Sequence, residues 1–136
     1  MRRLIIYMLT IILAAWVLAA GTACQAPAGT GETMPYWEIT AAELLSWMEE
    51  GKEFQLVDVR EEHEYKESHI PGAKLLPLGQ LKNNYTLLDP GDLIVLVCRS
   101  GRRSGEAADF LSARGYKHVY NLVGGMLEWH GPVNVQ

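Results

Sequence analysis

The run Leu93-Ile94-Val95-Leu96-Val97 is apolar throughout and stops at a cysteine, just after the turn signal Asp89-Pro90-Gly91. An apolar run of this length reads as a strand, one layer of a larger fold. Cys98-Arg99-Ser100-Gly101-Arg102-Arg103-Ser104 follows as a short loop. Residues 105–114 then read as a helix with Ala107, Ala108 and Leu111 on one side, closed by Gly115. A strand that ends at a cysteine and hands over to a helix aims the free N–H groups of the helix start at the sulfur. A lone cysteine is usually inert packing. Here Arg99, Arg102 and Arg103 argue otherwise, because they cannot share an apolar pocket with an unreactive thiol. The arginines and the helix end are expected to lower the thiol pKa and to hold an anion beside it. That describes a thiolate nucleophile acting on a substrate with anionic oxygens.

The rest of the chain supplies the layers. Thr40-Ala41-Ala42-Glu43 is a capping box ahead of the apolar positions Leu44, Leu45 and Met48, and Gly51 ends that helix. Residues 54–59 read as a buried strand ending in Asp58-Val59-Arg60. Residues 61–66 read as a short charged helix, and Pro71-Gly72 marks a turn. Residues 73–76 read as a short strand, 78–88 as a helical segment, 118–122 as another strand, and Gly124-Gly125 leads into a short helix with Met126, Leu127 and Trp129. Strands alternating with helices predict an α/β domain in three layers, a mostly parallel sheet with helices on both faces. Active loops of such sheets lie beyond the carboxyl ends of the strands, where Cys98 falls.

Asp58-Val59-Arg60, His69-Ile70-Pro71-Gly72-Ala73, the loop from Cys98 to Ser104 and Gly124-Gly125-Met126-Leu127-Glu128-Trp129 stand in an order and spacing that resembles the rhodanese domain. The resemblance spans nearly all of residues 38–133. It implies a single-domain sulfurtransferase in which Cys98 forms the persulfide. The active loop maps onto residues 98–103, with Ser104 opening the next helix. Arg99, Ser100, Gly101, Arg102, Arg103 and Ser104 are then the substrate-binding candidates, Arg103 first among them because the family pattern places arginine there. Asp58 and Arg60 are expected to form a structural ion pair or to support the loop. His69 is read as a turn residue with a satisfied hydrogen bond, and Trp47 and Trp129 as packing. The expected donor is a small anionic sulfur compound such as thiosulfate, and the acceptor cyanide, a small thiol or a protein thiol. Neither cofactor nor metal is expected; His63, His69, His118 and His130 show no metal-ligand spacing with each other or with either cysteine.

The ends of the chain bear on where this chemistry takes place. Arg2 and Arg3 precede an uncharged apolar run over residues 4–20, the layout of an export signal. Cys24, just past it, resembles the modified cysteine of a bacterial lipoprotein, although Gly21 stands where that signal favours leucine. Residues 1–23 are accordingly expected to be a signal peptide or an uncleaved membrane anchor. Residues 24–35, rich in Ala, Pro, Gly and Thr, are a flexible tether, and residues 36–136 the folded domain. The protein is thus expected to be exported and membrane-anchored on the extracytoplasmic side. The formal net charge is −4, and every acidic residue lies beyond the leader. That excludes a general nucleic-acid binder and confines anion attraction to the cysteine loop.

Two other readings fit parts of the pattern. A cysteine phosphatase or arsenate reductase also holds a thiolate in an anion-cradling loop. The phosphatase pattern, however, needs arginine six residues after the cysteine, where Ser104 stands, and Arg103 comes one place early. A redox or sulfur-relay interaction module is the reading from a different class, and the tether suits it.

Overall fold

The computed structural model describes residues 35–136, so the expectations placed on residues 1–34, Cys24 among them, lie outside the described residues. Five strands form one parallel sheet: β1 (Trp37–Ile39), β2 (Gln55–Asp58), β3 (Lys74–Leu75), β4 (Ile94–Val97) and β5 (Val119–Leu122). Their spatial order is β1-β5-β4-β2-β3, which puts β4 at the centre. Helices α1 (Ala41–Glu49), α2 (Glu62–Glu67), α3 (Leu78–Asn84) and α4 (Arg102–Ser112) fill the crossovers, with single 3₁₀ turns at Tyr85–Leu87 and Gly125–Leu127.

The alternation of side chains along β4 divides the core into two. Ile94 and Leu96 join Val57 and Val59 on one face, packed against Leu81 of α3 and Ala107, Ala108 and Leu111 of α4. Val95 and Val97 face the other way with Leu56 and Leu122, against Leu44 of α1, Tyr65 of α2 and Trp129. With both faces covered, a polar side chain anywhere in β4 would lack a partner, which is why its sequence is a continuous apolar run.

The capping box of α1 is present, with Thr40 Oγ accepting from the Glu43 N–H at 3.3 Å and Glu43 accepting from the Thr40 N–H at 2.8 Å. Two features depart from expectation. Strand β1 has only three residues, too few for a period to show, and it exists because β5 offers it an edge. Helix α4 begins at Arg102, not at residue 105. Gly101, with φ of 90°, turns the chain so sharply that the helix starts on the next residue. Arg102, Arg103 and Ser104 are therefore first-turn residues, and the loop proper is only residues 98–101.

The domain closes where residues 133–136 return to α2. His69 and Asn134 exchange backbone hydrogen bonds at 2.9 and 2.8 Å, and the Gln136 N–H donates to the Lys66 carbonyl. His69 is buried, its ring stacked 3.8 Å from that of Tyr65 and its Nδ1 2.9 Å from the Tyr65 carbonyl.

Candidate active site

Cys98 directly follows β4 on the face covered by α4, so its sulfur lies under the start of that helix. The Gly101 N–H donates to Sγ at 3.1 Å, and Ser104 Oγ stands 3.3 Å from it. The same hydroxyl is 3.1 Å from the Gly101 carbonyl. A hydroxyl has one proton to give, so it serves the carbonyl or the sulfur, and a thiolate draws it to the sulfur. Burial pushes the Cys98 thiol up. Against that, the Ser104 hydroxyl and the N–H groups of Ser104, Ser100 and Gly101 together bring it below the usual thiol range.

The expected stabilisers of the thiolate were the N–H groups of the helix start together with the arginines. The donors that lower the thiol pKa are the loop and first-turn amides and the Ser104 hydroxyl. Arg99 and Arg102 are exposed. Arg103 is held by Glu64 of α2, its two terminal nitrogens each 2.7 Å from a carboxylate oxygen. The terminal nitrogens of Arg103 are thus engaged by a protein carboxylate. The thiolate charge still acts on it, raising its pKa together with Glu64.

A second layer of contacts fixes the loop from below. The Met126 N–H donates to the Cys98 carbonyl at 2.8 Å and the Leu127 N–H to the Arg99 carbonyl at 3.0 Å. Such close approach requires Gly125: a Cβ there would stand 2.3 Å from the Cys98 oxygen, and its φ is 54°. Neither this turn nor Glu64 was named as part of the site from sequence. The Gly-Gly pair was legible as a tight turn, but not what it turns against. Three acidic residues within α2, in a domain whose dense basic cluster is the cysteine loop, were the available sign of Glu64.

Asp58 and Arg60, both buried, form an ion pair with Arg60 Nε 2.9 Å from Oδ1 and a terminal nitrogen 2.6 Å from Oδ2. That terminal nitrogen also donates to the Ser68 carbonyl at 2.7 Å. The pair pins the end of α2 to the carboxyl end of β2, next to the end of β4, and touches no part of the sulfur's surroundings directly. Its part is to hold α2, which carries Glu64.

The model of the rhodanese-like domain matches residues 40–132. The chain belongs to the rhodanese-like domain family. A Bacillus subtilis member, YtwF, provisionally named a sulfurtransferase, is 38% identical over 94 residues, covering 69% of this chain and 90% of that one. A second from the same organism, YrkF, provisionally named a sulfur carrier protein, is 37% identical over 69% of this chain, and the match spans about half (51%) of that relative. The solved structure of a rhodanese-like domain protein from Staphylococcus aureus superposes with a TM-score of 0.69 at 32% identity, covering 74% of this chain and 98% of that one. The rhodanese-like fold, a central parallel sheet with helices, is thereby shared.

Proposed function

We propose that this rhodanese-like domain is a sulfurtransferase working through a Cys98 persulfide, with thiosulfate or a related sulfane donor as substrate. The observation that carries the reading is the convergence of the Gly101 N–H and the Ser104 hydroxyl on a sulfur whose pKa is lowered. The names of relatives support sulfur transfer as the reaction class. The Cys98 thiolate attacks the outer sulfur of thiosulfate, the new S–S bond forms as the old one breaks, and sulfite leaves with the electron pair. The loop donors then stabilise the terminal sulfur of the persulfide anion, while Arg99 and Arg102 attract the sulfonate. An acceptor nucleophile (cyanide, a small thiol or a protein thiol) takes the terminal sulfur and restores the thiolate. The near-complete burial of Cys98, 1% exposed, favours a small donor over a bulky one.

The decisive measurement is intact mass of the full chain after thiosulfate treatment. One added sulfur atom mapped to Cys98, absent in Cys98→Ser, is the expected result, together with thiocyanate release on adding cyanide. No adduct alongside turnover of a phosphate ester would replace this reading with a phosphatase. We also propose that the domain works outside the cytoplasm, anchored through lipid on Cys24 or by an uncleaved apolar segment. The support is the Arg2-Arg3 and apolar pattern of residues 1–23 together with the tether of residues 24–35.

A further inference from the structure

One side-chain contact joins α2 to the first turn of α4 beside the cysteine loop. Glu64 and Arg103 lie 39 residues apart in sequence, their side chains only 16% and 22% exposed, and the carboxylate engages both terminal nitrogens of the guanidinium at 2.7 Å. Paired geometry of this kind, partly withdrawn from water, holds more firmly than a surface ion pair. The carboxylate is itself anchored. Its Oε2 accepts from the Glu61 N–H at 3.1 Å, and α2 is tied at its far end by Arg60 to the Ser68 carbonyl. It cannot readily follow Arg103 if the guanidinium turns toward a bound anion.

We propose that Glu64 sets the charge of the site: its carboxylate neutralises Arg103 beside the cysteine loop and leaves anion binding to the loop amides, Arg99 and Arg102. This rests on Cys98 being the sulfur-transfer site. The charges that act on the pair are Arg60 beyond β2, Glu61 at the start of α2, and the Cys98 thiolate. The hydrogen bonds from Arg103 hold the Glu64 carboxyl down to about 2, so it is ionised at every working pH and its screening is permanent. Without it the loop would present three unneutralised cations to a donor and to the anion it releases. Tighter binding of both would follow, and with it slower escape of sulfite.

Glu64→Gln is the discriminating variant, because a glutamine oxygen keeps one hydrogen bond to Arg103 while removing the charge. Alkylation of Cys98 by iodoacetamide, followed at its own peptide against pH in the full chain, reads the thiol without any sulfur donor. Thiosulfate KM and kcat are measured in parallel. Glu64→Gln is expected to move the alkylation midpoint to lower pH and to lower the thiosulfate KM several-fold with little gain in kcat. Glu64→Asp should stay near the parent, Arg103→Gln should move the midpoint to higher pH by leaving the carboxylate unneutralised, and the double variant should return toward the parent. A midpoint that rises or stays put in Glu64→Gln, or a double variant that does not return toward the parent, overturns the proposal. A lowered melting temperature with an unmoved midpoint does the same, by showing a merely structural contact. Failure of the parent to react with thiosulfate would instead refute the donor, and the alkylation profile would still decide the role of Glu64.

Discussion

Ser104 is the residue whose chemistry is most exposed to test. Its hydroxyl stands 3.3 Å from the Cys98 sulfur and is buried, so water cannot replace it when it is removed. Ser104→Ala should leave the fold intact, since alanine fits the first turn of a helix, and should raise the thiol pKa. A hydrogen bond to a charged group contributes about 1.5–3 kcal/mol, and a sulfur acceptor at this distance sits at or below the lower end, roughly one pH unit. The sign follows from the parent. A thiol held below the usual range keeps its thiolate, and its activity, until pH falls through that lowered pKa. In the variant the acid limb of the activity profile moves toward higher pH. Persulfide formation rate against pH measures this, and an unmoved acid limb would mean the amides alone set the thiol. Ser104 was quoted from sequence as part of the loop, but its donor role depends on where α4 starts, which propensity could not place.

At the scale of elements, the cysteine loop is held by the turn that follows β5, and two glycine substitutions separate geometry from composition. Gly125→Ala puts a methyl 2.3 Å from the Cys98 oxygen and 2.8 Å from the Arg99 carbonyl carbon, at a φ of 54°. Backbone strain of that kind costs about 1–3 kcal/mol before the steric displacement is counted. The loop must move, so sulfur transfer should be lost by more than the drop in stability explains. Gly79 in α3 meets nothing within 4 Å and has no positive φ. Gly79→Ala should stabilise by about 0.4–1 kcal/mol through the unfolded chain and leave activity unchanged. Urea midpoints and thiosulfate turnover on the same preparations decide both. Equal destabilisation by the two changes would show that contact with Cys98 is not what requires Gly125.

For the whole molecule, the strands and helices of the two-faced core, the cysteine loop, its supporting turn and the Asp58–Arg60 pair all lie within residues 35–136. Residues 36–136 expressed alone should therefore fold cooperatively and retain the turnover of the full chain. Loss of activity on truncation would mean that the leader or tether contributes to the site. Anchoring is a separate question, answered by Cys24→Ala. That variant should lose acylation and lipoprotein cleavage, while an apolar anchor over residues 4–20 would still retain the chain on the membrane. Mass spectrometry of the parent N-terminus should find lipid on Cys24; an intact Met1 would favour the anchor.

What the sequence determined by itself is whatever depends on pattern over a few neighbours. The apolar run into Cys98 required a strand, Thr40-x-x-Glu43 required a helix start, and alternation of such elements required a parallel α/β sheet with helices on both faces. The four motifs in register pointed to the rhodanese family. What only the tertiary structure decided is which groups meet across long sequence separation. Glu64 grips Arg103 from 39 residues away, and the Met126 and Leu127 amides hold the Cys98 and Arg99 carbonyls. Three residues of β1 become a strand only because β5 lies beside them. The physical reason is the range of the forces. Periodicity and capping act along a helix turn or a strand pleat and leave their mark in adjacent residues. Charge on the thiolate is instead set by groups within hydrogen-bond reach in space, and a loop arginine reads as free until a carboxylate from another helix is seen to occupy it.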